Sequence, residues 1–352
     1  MTILVTGANG QLGCWLRLAA SGSAAGPAAG SAAASLTAAK NQFSADGTTP
    51  SHAAADQFLF TDIAELSEES AAMLRRLGGE AVDLSTVRLD VTDLSAVREL
   101  VRRERVQAVV NCAGFTNVDA AESQPELAEL LNVTAPENLA LAMREAGGLL
   151  VHVSTDYIFG ARVYDTSIGE EQPGAPTGVY GLTKLRGEEA IRRVGCRHVI
   201  LRTAWLFSEF GRNFVRTMLR LTAERPQVKV VDDQRGTPTY AGDLAAVILQ
   251  ILTAAESAAL SAPDASAPAA DSANVFNFTN AGECTWYEFA CAIAEAAGRT
   301  ACEILPCRSD EFPSPVRRPA YSVLDKSKIR AALGLAIPAW RDSLRKCLKS
   351  IL

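Results

Sequence analysis

The sequence predicts an α/β protein built on a doubly wound parallel sheet, with a smaller C-terminal α/β domain beside it. The first observation is a short apolar run at residues 2–5, which leads into a glycine-rich turn and then into a helical pattern. The second is an alternation of strand-like and helix-like segments up to about residue 204, which is typical of parallel sheets covered by helices. Together they indicate a Rossmann-like nucleotide-binding domain.

The glycine-rich turn is the first candidate site. Three glycines stand three residues apart between the predicted strand and helix. Such glycines allow a tight turn, a close approach of the backbone to a pyrophosphate, and close packing of helix on strand. The N–H groups at the start of the helix bind phosphate. We therefore expect a dinucleotide cofactor at Gly7, Asn9, Gly10, Gln11, Leu12 and Gly13. The GxxGxxG spacing resembles that of the extended short-chain dehydrogenase/reductase superfamily.

Composition limits the classes of function. Of the 352 residues, 48% are hydrophobic and 21% are charged, which suits an ordinary globular core. The net charge of −6 offers no basic surface for nucleic acid or for an anionic membrane. No apolar run approaches the ~20 residues that span a bilayer, and the N-terminal residues do not resemble a signal sequence. We expect a cytoplasmic protein whose eight cysteines, Cys112 and Cys291 among them, are buried free thiols.

Two insertions separate the first helix from the third strand. Residues 21–56 are rich in Ala, Ser and Gly and predict a surface insertion, whereas residues 63–85 predict a helical one. Between them lies a strand at 57–61, and Asp62 follows it. An acid at this place bonds the adenosine ribose in nucleotide-binding folds, although a simple turn aspartate is an equal alternative. The cofactor is therefore NADH or NADPH.

The next segments continue the pattern. A strand at 86–89 is followed by a helix with apolar residues at helical spacing, which Thr92 or Asp93 would cap. A further buried strand begins at residue 108 and ends in the small residues Ala113 and Gly114. The end of such a strand lines the cofactor crevice of this fold.

A tyrosine and a lysine four residues apart form the candidate catalytic pair. Tyr180 and Lys184 lie one helical turn apart and share a face. The ammonium of Lys184 is expected to lower the pKa of the phenol from its ordinary ~10. Tyr180 could then exchange a proton with a carbonyl or carbinol near neutral pH, with a hydroxyl of Ser154 or Thr155 on the same oxygen. A solvated surface pair has the same spacing, so this interpretation depends on the preceding motifs.

Longer motifs narrow the resemblance to the dTDP-4-dehydrorhamnose reductases, and they cover nearly the whole chain outside the insertions. They are NCAGFTNVDAAE at 111–122, VHVSTDYIF at 151–159, ILRTAWLF at 200–207, VDDQRGTPT at 231–239, TWYEFA at 285–290 and RPAYSVL at 318–324. The resemblance implies NADPH- or NADH-dependent reduction of the C4 ketone of dTDP-4-keto-6-deoxy-L-mannose to dTDP-L-rhamnose. Tyr180 would donate the proton, Lys184 would hold the cofactor ribose, and Thr155 would be the catalytic hydroxyl.

The same resemblance implies further binding residues. Those along the cofactor are Asp90, Val91, Ala113, Gly114 and Thr116; those at the substrate are Thr116, Val118, Thr155, Asp156, Tyr157, Trp205 and Arg318. Arg318 is the candidate for the diphosphate, because a guanidinium binds such oxygens in a bidentate manner. A core tryptophan and a solvated arginine are the alternatives for Trp205 and Arg318.

One comparison within the superfamily favours reduction over dehydration. The related 4,6-dehydratases carry Thr-Asp-Glu where this chain has Thr155-Asp156-Tyr157. Without the second acid, the residues that eliminate water are incomplete, while hydride transfer and proton donation are unaffected.

Two other functions stay open: a sugar-nucleotide epimerase that retains its cofactor, and a non-catalytic regulatory subunit resembling that of methionine adenosyltransferase. The three histidines show no metal spacing, so no metal is expected, and His152 is assigned to packing. Some relatives form a magnesium-linked dimer through a glutamate where this chain has Trp15, which argues against that bridge but leaves a homodimer open.

The predicted domains follow from these assignments. Residues 1–204 form the nucleotide-binding domain, to which a strand and helix return at 237–252. Residues 205–236 and 274–352 form the substrate-binding domain, and residues 253–273 form an Ala/Ser/Pro-rich loop.

Overall fold

The computed structural model describes residues 1–22, 56–256, 273–312 and 314–352. Most of the predicted insertion at 21–56, including His52, and most of the predicted loop at 253–273 lie outside the described residues. The helix expected within the second insertion is present and spans Glu68–Gly78. In the described part of the chain, no helix is both long enough and apolar enough to cross a membrane.

The main sheet has seven parallel strands in the order β11-β6-β5-β4-β1-β2-β3. This confirms the predicted doubly wound arrangement, because the strand order reverses between β1 and β4. The strands are β1 (Thr2–Thr6), β2 (Gln57–Asp62), β3 (Val87–Arg88), β4 (Ala108–Asn111), β5 (Leu149–Thr155), β6 (Arg197–Thr203) and β11 (Val275–Asn277). A ligand crevice forms at such a reversal, outside the carboxyl ends of the strands.

Both faces of the sheet are covered by helices, which explains the continuous apolar runs of its strands. Leu4 belongs to one buried cluster, while its neighbours Ile3 and Val5 belong to another on the opposite face. The described helices are α1 (Gln11–Ala20), α2 (Glu68–Gly78), α3 (Leu94–Arg103), α4 (Val118–Ser123), α5 (Pro125–Glu129), α6 (Ala135–Ala146), α7 (Val179–Val194), α8 (Phe214–Glu224), α9 (Ala241–Glu256), α10 (Trp286–Ala296), α11 (Ser327–Leu333) and α12 (Trp340–Ile351).

Two helix starts follow from their sequences. The Asp93 carboxylate accepts the Ser95 and Ala96 N–H groups, which confirms the predicted cap of α3. Helix α10 begins with a reciprocal capping box between Thr285 and Glu288. The capping box fixes the start of α10 at Trp286, whose ring stacks on that of Trp205.

The C-terminal part differs from the prediction in one respect. Residues 275–277 were expected in the substrate-binding domain, yet β11 is the edge strand of the main sheet and pairs with β6. The remaining strands form three two-stranded sheets, in which β8 pairs with β13, β9 with β12 and β7 with β10. They are β7 (Leu206–Phe207), β8 (Gln227–Val231), β9 (Arg235–Gly236), β10 (Thr239–Tyr240), β12 (Cys284–Thr285) and β13 (Glu303–Cys307).

The cysteines are all free, as expected. Six are buried, but Cys112 and Cys291 are only half-buried, so the prediction of full burial is wrong for these two. Burial raises the pKa of the Cys112 thiol to about 12, which keeps it protonated.

Candidate active site

The glycine-rich turn joins β1 to α1 with little space around its backbone. Gly7 has a φ of +63°, and a Cβ atom there would lie 2.7 Å from the backbone nitrogen of Ala113. A Cβ at Gly13 would lie 2.5 Å from the Ala8 backbone. No side chain caps the start of α1 at Gly10, and the first turn of α1 has no acidic residue. The first turn of α1 therefore offers N–H groups suited to the phosphates of a dinucleotide.

Side chains around this turn hold it in place. Asp62, at the end of β2, accepts the backbone N–H of Asn9 at 3.0 Å. The Asn9 side chain is bonded to Ala64 and to the fully buried Arg17. Gln11 accepts hydrogen bonds from Ser208 and Asn213, so its side chain ties α1 to the segment after β7. Asp62 thus supports the turn, with further lone pairs available to a ribose.

The other predicted cofactor residues lie around the same edge of the sheet. Asp90 is exposed and bonds Thr92, while Val91 is buried. Ala113 follows β4 and donates its N–H to the Asn111 side chain, and Gly114 lies against the Asn132 amide. Thr116 is exposed in the loop after β4, and Val118 is half-buried at the start of α4. These residues fit a dinucleotide that crosses the carboxyl end of the sheet.

Tyr180 lies at the start of α7, next to the end of β5. Its ring meets that of Tyr157 edge to face, with centroids 5.4 Å apart. Burial raises the pKa of the Tyr180 phenol above its ordinary value, and a hydrogen bond with Thr155 opposes that shift. Thr155 also donates to Asp156 at 3.0 Å and accepts the Tyr157 N–H. Tyr180 and Thr155 are therefore together, and the phenol carries its proton.

Lys184 does not have the predicted effect on Tyr180. Its ammonium nitrogen donates to the Val153 carbonyl at 2.7 Å and lies 3.4 Å from Nε2 of His152. Burial lowers the pKa of Lys184 to about 8, and Lys184 is not among the groups that shift the pKa of Tyr180. The expectation of a lowered phenol pKa is wrong for this structure, because burial raises the pKa of Tyr180 while Lys184 is directed to Val153 and His152.

The Ser154 hydroxyl, predicted as a possible partner of the reacting oxygen, is bonded elsewhere. Its Oγ donates to the Glu188 carboxylate at 2.6 Å, and the same carboxylate binds Arg202 and Arg192. This hydroxyl is thus directed to Glu188, eight residues after Tyr180 on α7, and not to the phenol. Ser154 instead belongs to a buried ion cluster under α7.

Asp156 is the most unusual carboxyl of the site. It is only 2% exposed, and burial raises its pKa from 3.8 to about 6, while the hydroxyls of Thr155 and Ser322 act in the opposite direction. Its neighbour Tyr157 accepts a hydrogen bond from Arg318 at 2.7 Å. Carboxyl groups with strongly perturbed pKa values cluster at functional sites.

Two stacked indoles form a wall near Ser322. The rings of Trp205 and Trp286 lie 3.5 Å apart between centroids and 10° from parallel. Trp205 has a φ of +48°, a conformation that costs ~1–2 kcal/mol for residues other than glycine. A Cβ on Gly236 would lie 2.6 Å from the Trp205 ring and 2.9 Å from Ser322. Both tryptophans are partly exposed, so the pair is available to a ligand.

Arg318 is paired within the protein. Its guanidinium binds both carboxylate oxygens of Asp119 at 2.9 Å, as well as the hydroxyl of Tyr157. The Arg318 side chain is 30% exposed and that of Asp119 is 46% exposed. A substrate diphosphate would therefore compete with Asp119 for the guanidinium.

Three residues of the site were not assigned from the sequence: His152, Asp119 and Trp286. Each lies within a quoted motif: His152 and Asp119 are two and one positions from an assigned residue, whereas Trp286 belongs to the motif TWYEFA, in which no site residue was assigned. In the described ranges no group of three His, Cys, Asp or Glu residues could hold a metal ion.

Comparison with known proteins gives consistent matches. The RmlD substrate binding domain family matches residues 1–352. The dTDP-4-dehydrorhamnose reductase of Streptomyces griseus is 39% identical over 290 residues, which are 81% of this chain and 90% of that protein. The crystal structure of a dTDP-4-dehydrorhamnose reductase from Clostridium acetobutylicum has a TM-score of 0.72 and 29% identity, with 99% of each chain covered. The enzyme of that name from Bacillus anthracis, in complex with NADP, has a TM-score of 0.72 and 26% identity over 100% of this chain and 99% of its own.

Proposed function

The chain belongs to the RmlD family, that of the dTDP-4-dehydrorhamnose reductases, and we propose that it reduces the C4 ketone of dTDP-4-keto-6-deoxy-L-mannose to dTDP-L-rhamnose with NADPH or NADH. The observation that carries this proposal is the contact of Tyr180 with Tyr157 just after β5, beside Thr155 and at the same sheet edge as the glycine-rich turn. A reduced nicotinamide, when bound, supplies the hydride to C4.

Tyr180 supplies the proton. Because burial raises its pKa, the phenol is neutral and holds the proton that the reduction consumes. As the hydride reaches C4, negative charge develops on the ketone oxygen, which becomes a much stronger base than a phenolate. Tyr180 transfers its proton to that oxygen, and Thr155 hydrogen-bonds the same oxygen where the charge is greatest. The products are the carbinol and the oxidised nicotinamide.

The residue after Asp156 supports reduction over dehydration. Tyr157 occupies the position of the second acid, and its hydroxyl accepts a hydrogen bond from Arg318. A phenol held in this way offers no carboxylate to remove the second proton of an elimination. Asp156 alone cannot act as both acid and base in one step.

We assign the substrate to the surface formed by Trp205, Trp286 and Arg318. A flat indole pair suits one face of a sugar or base, and a guanidinium suits the diphosphate. Thr116 and Val118 precede Asp119, the residue whose carboxylate binds Arg318. On this basis residues 205–236 and the chain after β11 form the substrate-binding part, which corrects the predicted boundary at 274.

The predicted cytoplasmic location and homodimer remain proposals. Free cysteines support a reducing compartment. Cell fractionation tests the location, and light scattering of the purified protein tests the dimer.

The test is the loss of near-ultraviolet absorbance of NADPH and NADH when the sugar nucleotide is generated by its upstream enzymes. We expect turnover that falls ~10²–10⁴-fold in Tyr180→Phe, while cofactor binding is retained. Tyr164→Phe is the matched control, because the Tyr164 hydroxyl is buried without a hydrogen-bond partner.

Full activity in Tyr180→Phe would show that Tyr180 is not the proton donor. An inactive wild type that binds cofactor would favour the non-catalytic alternative, and cofactor that copurifies tightly would favour the epimerase.

A further inference from the structure

A line of four buried polar side chains connects the sheet to the catalytic lysine. Thr6, Asn111 and His152 occupy partnered positions on β1, β4 and β5. Side chains at partnered positions lie on the same face of a sheet. Thr6 donates to Asn111 at 2.7 Å, Asn111 contacts Nδ1 of His152 at 2.9 Å, and Nε2 of His152 lies 3.4 Å from Lys184. None of the four is more than 6% exposed.

The orientation of Asn111 is set by a backbone group. Its Oδ1 atom accepts the N–H of Ala113 at 3.1 Å and the hydroxyl of Thr6. A backbone N–H can only donate, so the atom that faces it must be the amide oxygen. The amide nitrogen of Asn111 therefore faces His152 and donates to Nδ1.

The tautomer of His152 follows. A neutral imidazole carries one proton, and with Nδ1 accepting, that proton is on Nε2. Burial holds the pKa of His152 well below its ordinary value, with smaller contributions from Lys184 and His198, so the ring is neutral. The Nε2–H group thus points at the nitrogen of Lys184, which already donates to the Val153 carbonyl.

An ammonium has no lone pair to accept this N–H, whereas an amine has one. We propose that His152 is a positioning residue that sets the charge state of Lys184, because it presents an N–H group to the lysine and so favours the amine over the ammonium. The packing role assigned to His152 from its apolar neighbours is therefore incomplete.

Burial is the main cause that lowers the pKa of Lys184, and among the polar groups around it the Nε2–H of His152 is the contact that favours the amine. Glu188, one turn later on α7, favours the ammonium, but its carboxylate is shared with Arg202 and Arg192. The Cys112 thiol after β4 has its pKa raised to about 12. Tyr180, one turn earlier, keeps its proton. His198 on β6 is separated from Lys184 by β5, and burial lowers its pKa.

The functional consequence rests on the proposed reductase activity. If the ammonium of Lys184 is the form that supports the cofactor and Tyr180, activity declines on the alkaline side when Lys184 loses its proton. His152 then brings this decline to a lower pH than Lys184 alone would give.

The direct test does not depend on activity. In the full chain labelled with ¹⁵N-histidine, long-range ¹H–¹⁵N spectra distinguish the two tautomers, and His152→Gln assigns the His152 signals among the three histidines. We expect the Nε2–H tautomer for His152 from pH 6 to pH 9, a range that brackets the ordinary pKa of histidine at ~6.5. An Nδ1–H tautomer or an imidazolium would overturn the proposal.

A second measurement follows the lysine itself. In protein labelled with ¹³C at lysine Cε, the pKa of Lys184 is expected to rise by about one unit in His152→Gln, which replaces the N–H with an amide that can present oxygen. Asn111→Asp is an independent variant, because a carboxylate accepts Nδ1–H and leaves the Nε2 lone pair facing Lys184. We expect the same upward shift. His198→Gln is the matched control and should leave Lys184 unchanged.

The pH dependence of kcat completes the test. The alkaline decline should move up by about one pH unit in both variants and stay in place in His198→Gln. An unshifted Lys184 signal in both folded variants would overturn the role of His152. A shifted lysine signal with an unshifted rate profile would keep the charge-setting role and remove Lys184 from the step that limits turnover.

Discussion

The two walls of the candidate site are built in different ways. On the cofactor side the close contacts are made by backbone atoms: a Cβ at Gly7 or Gly13 would lie within 2.7 Å of other main-chain atoms. On the substrate side they are made by side chains from distant segments, such as Trp205 with Trp286 and Arg318 with Asp119. A backbone contact tolerates almost no substitution, whereas a contact between side chains can be tuned. We therefore expect changes on the cofactor wall to affect folding and changes on the substrate wall to affect KM.

The largest effect is expected from Gly7→Ala. Gly22 has a similar positive φ of +72°, but a Cβ there would meet nothing within 4 Å. Gly22→Ala should therefore lower the free energy of unfolding only by the cost of a left-handed backbone at a residue other than glycine, ~1–2 kcal/mol. Gly7→Ala adds overlap with the Ala113 backbone, and overpacking typically costs a further ~1–3 kcal/mol. Urea unfolding of both variants measures the difference, and equal losses would show that the steric contact does not matter.

The next effect concerns Asp156, the buried carboxyl beside Thr155. Its pKa is raised from 3.8 to about 6, so the native state binds this proton more tightly than the unfolded chain does. The protonated carboxyl therefore contributes its full share to the free energy of unfolding below about pH 4. This contribution, roughly 3 kcal/mol, is lost as the pH rises through 6. We expect Asp156→Asn to become more stable than the wild type across this range. Urea unfolding at several pH values tests it, with the exposed Asp310→Asn as background. A constant difference between Asp156→Asn and the wild type would contradict the raised pKa.

A smaller effect is expected from Trp286→Leu. Without its ring partner, Trp205 is no longer held against Gly236, and an aromatic pair contributes ~0.5–1.5 kcal/mol beyond burial. The KM for the sugar nucleotide should rise about two- to tenfold on that scale, while the cofactor Kd stays unchanged. Tyr287→Leu, at the next position of α10, is the control. If Trp286→Leu changed the cofactor Kd and left the KM for the sugar nucleotide unchanged, the proposed separation of a cofactor wall from a substrate wall would be wrong.

The smallest effect is expected from Asp119→Asn. The carboxylate competes with the substrate diphosphate for Arg318, but both side chains are partly solvated, so the pair contributes below ~1 kcal/mol. Its removal should lower KM by no more than about fivefold, with a smaller change at high salt. Glu145→Gln removes a comparable surface pair with Arg98 and should leave KM unchanged. A higher KM in Asp119→Asn would mean that Asp119 positions Arg318 for the substrate.

The same division explains what could be predicted from the sequence. The turn at Gly7, the strands of the main sheet and the cap at Asp93 depend on residues close together in the chain, and local chemistry was sufficient for them. The edge strand Val275–Asn277 was placed in the wrong domain because its partner lies more than 70 residues earlier, and an isolated apolar run does not identify its partner.

Side-chain pairing in the site was the other source of error. Ser154 was assigned beside Thr155 as a possible partner of the reacting oxygen, whereas its hydroxyl is bonded to Glu188. His152 and Ser154 share one face of β5, and they meet Lys184 and Glu188, which are one turn apart on α7. Which of these side chains meet depends on how α7 packs on the sheet, and their charge balance depends on burial; neither follows from a local sequence pattern.

The position of β11 also bears on how the chain is synthesised. Strand β6 is complete at Thr203, but the strand that covers its outer edge is made only after residue 274. During that interval a nascent chain presents an unpaired parallel edge, which is a template for association with other chains. The Glu170 carboxylate, which accepts the N–H of Asn277, likewise lacks this donor until then. Ribosome-bound chains that end before residue 275 should therefore depend on chaperones more than longer chains do.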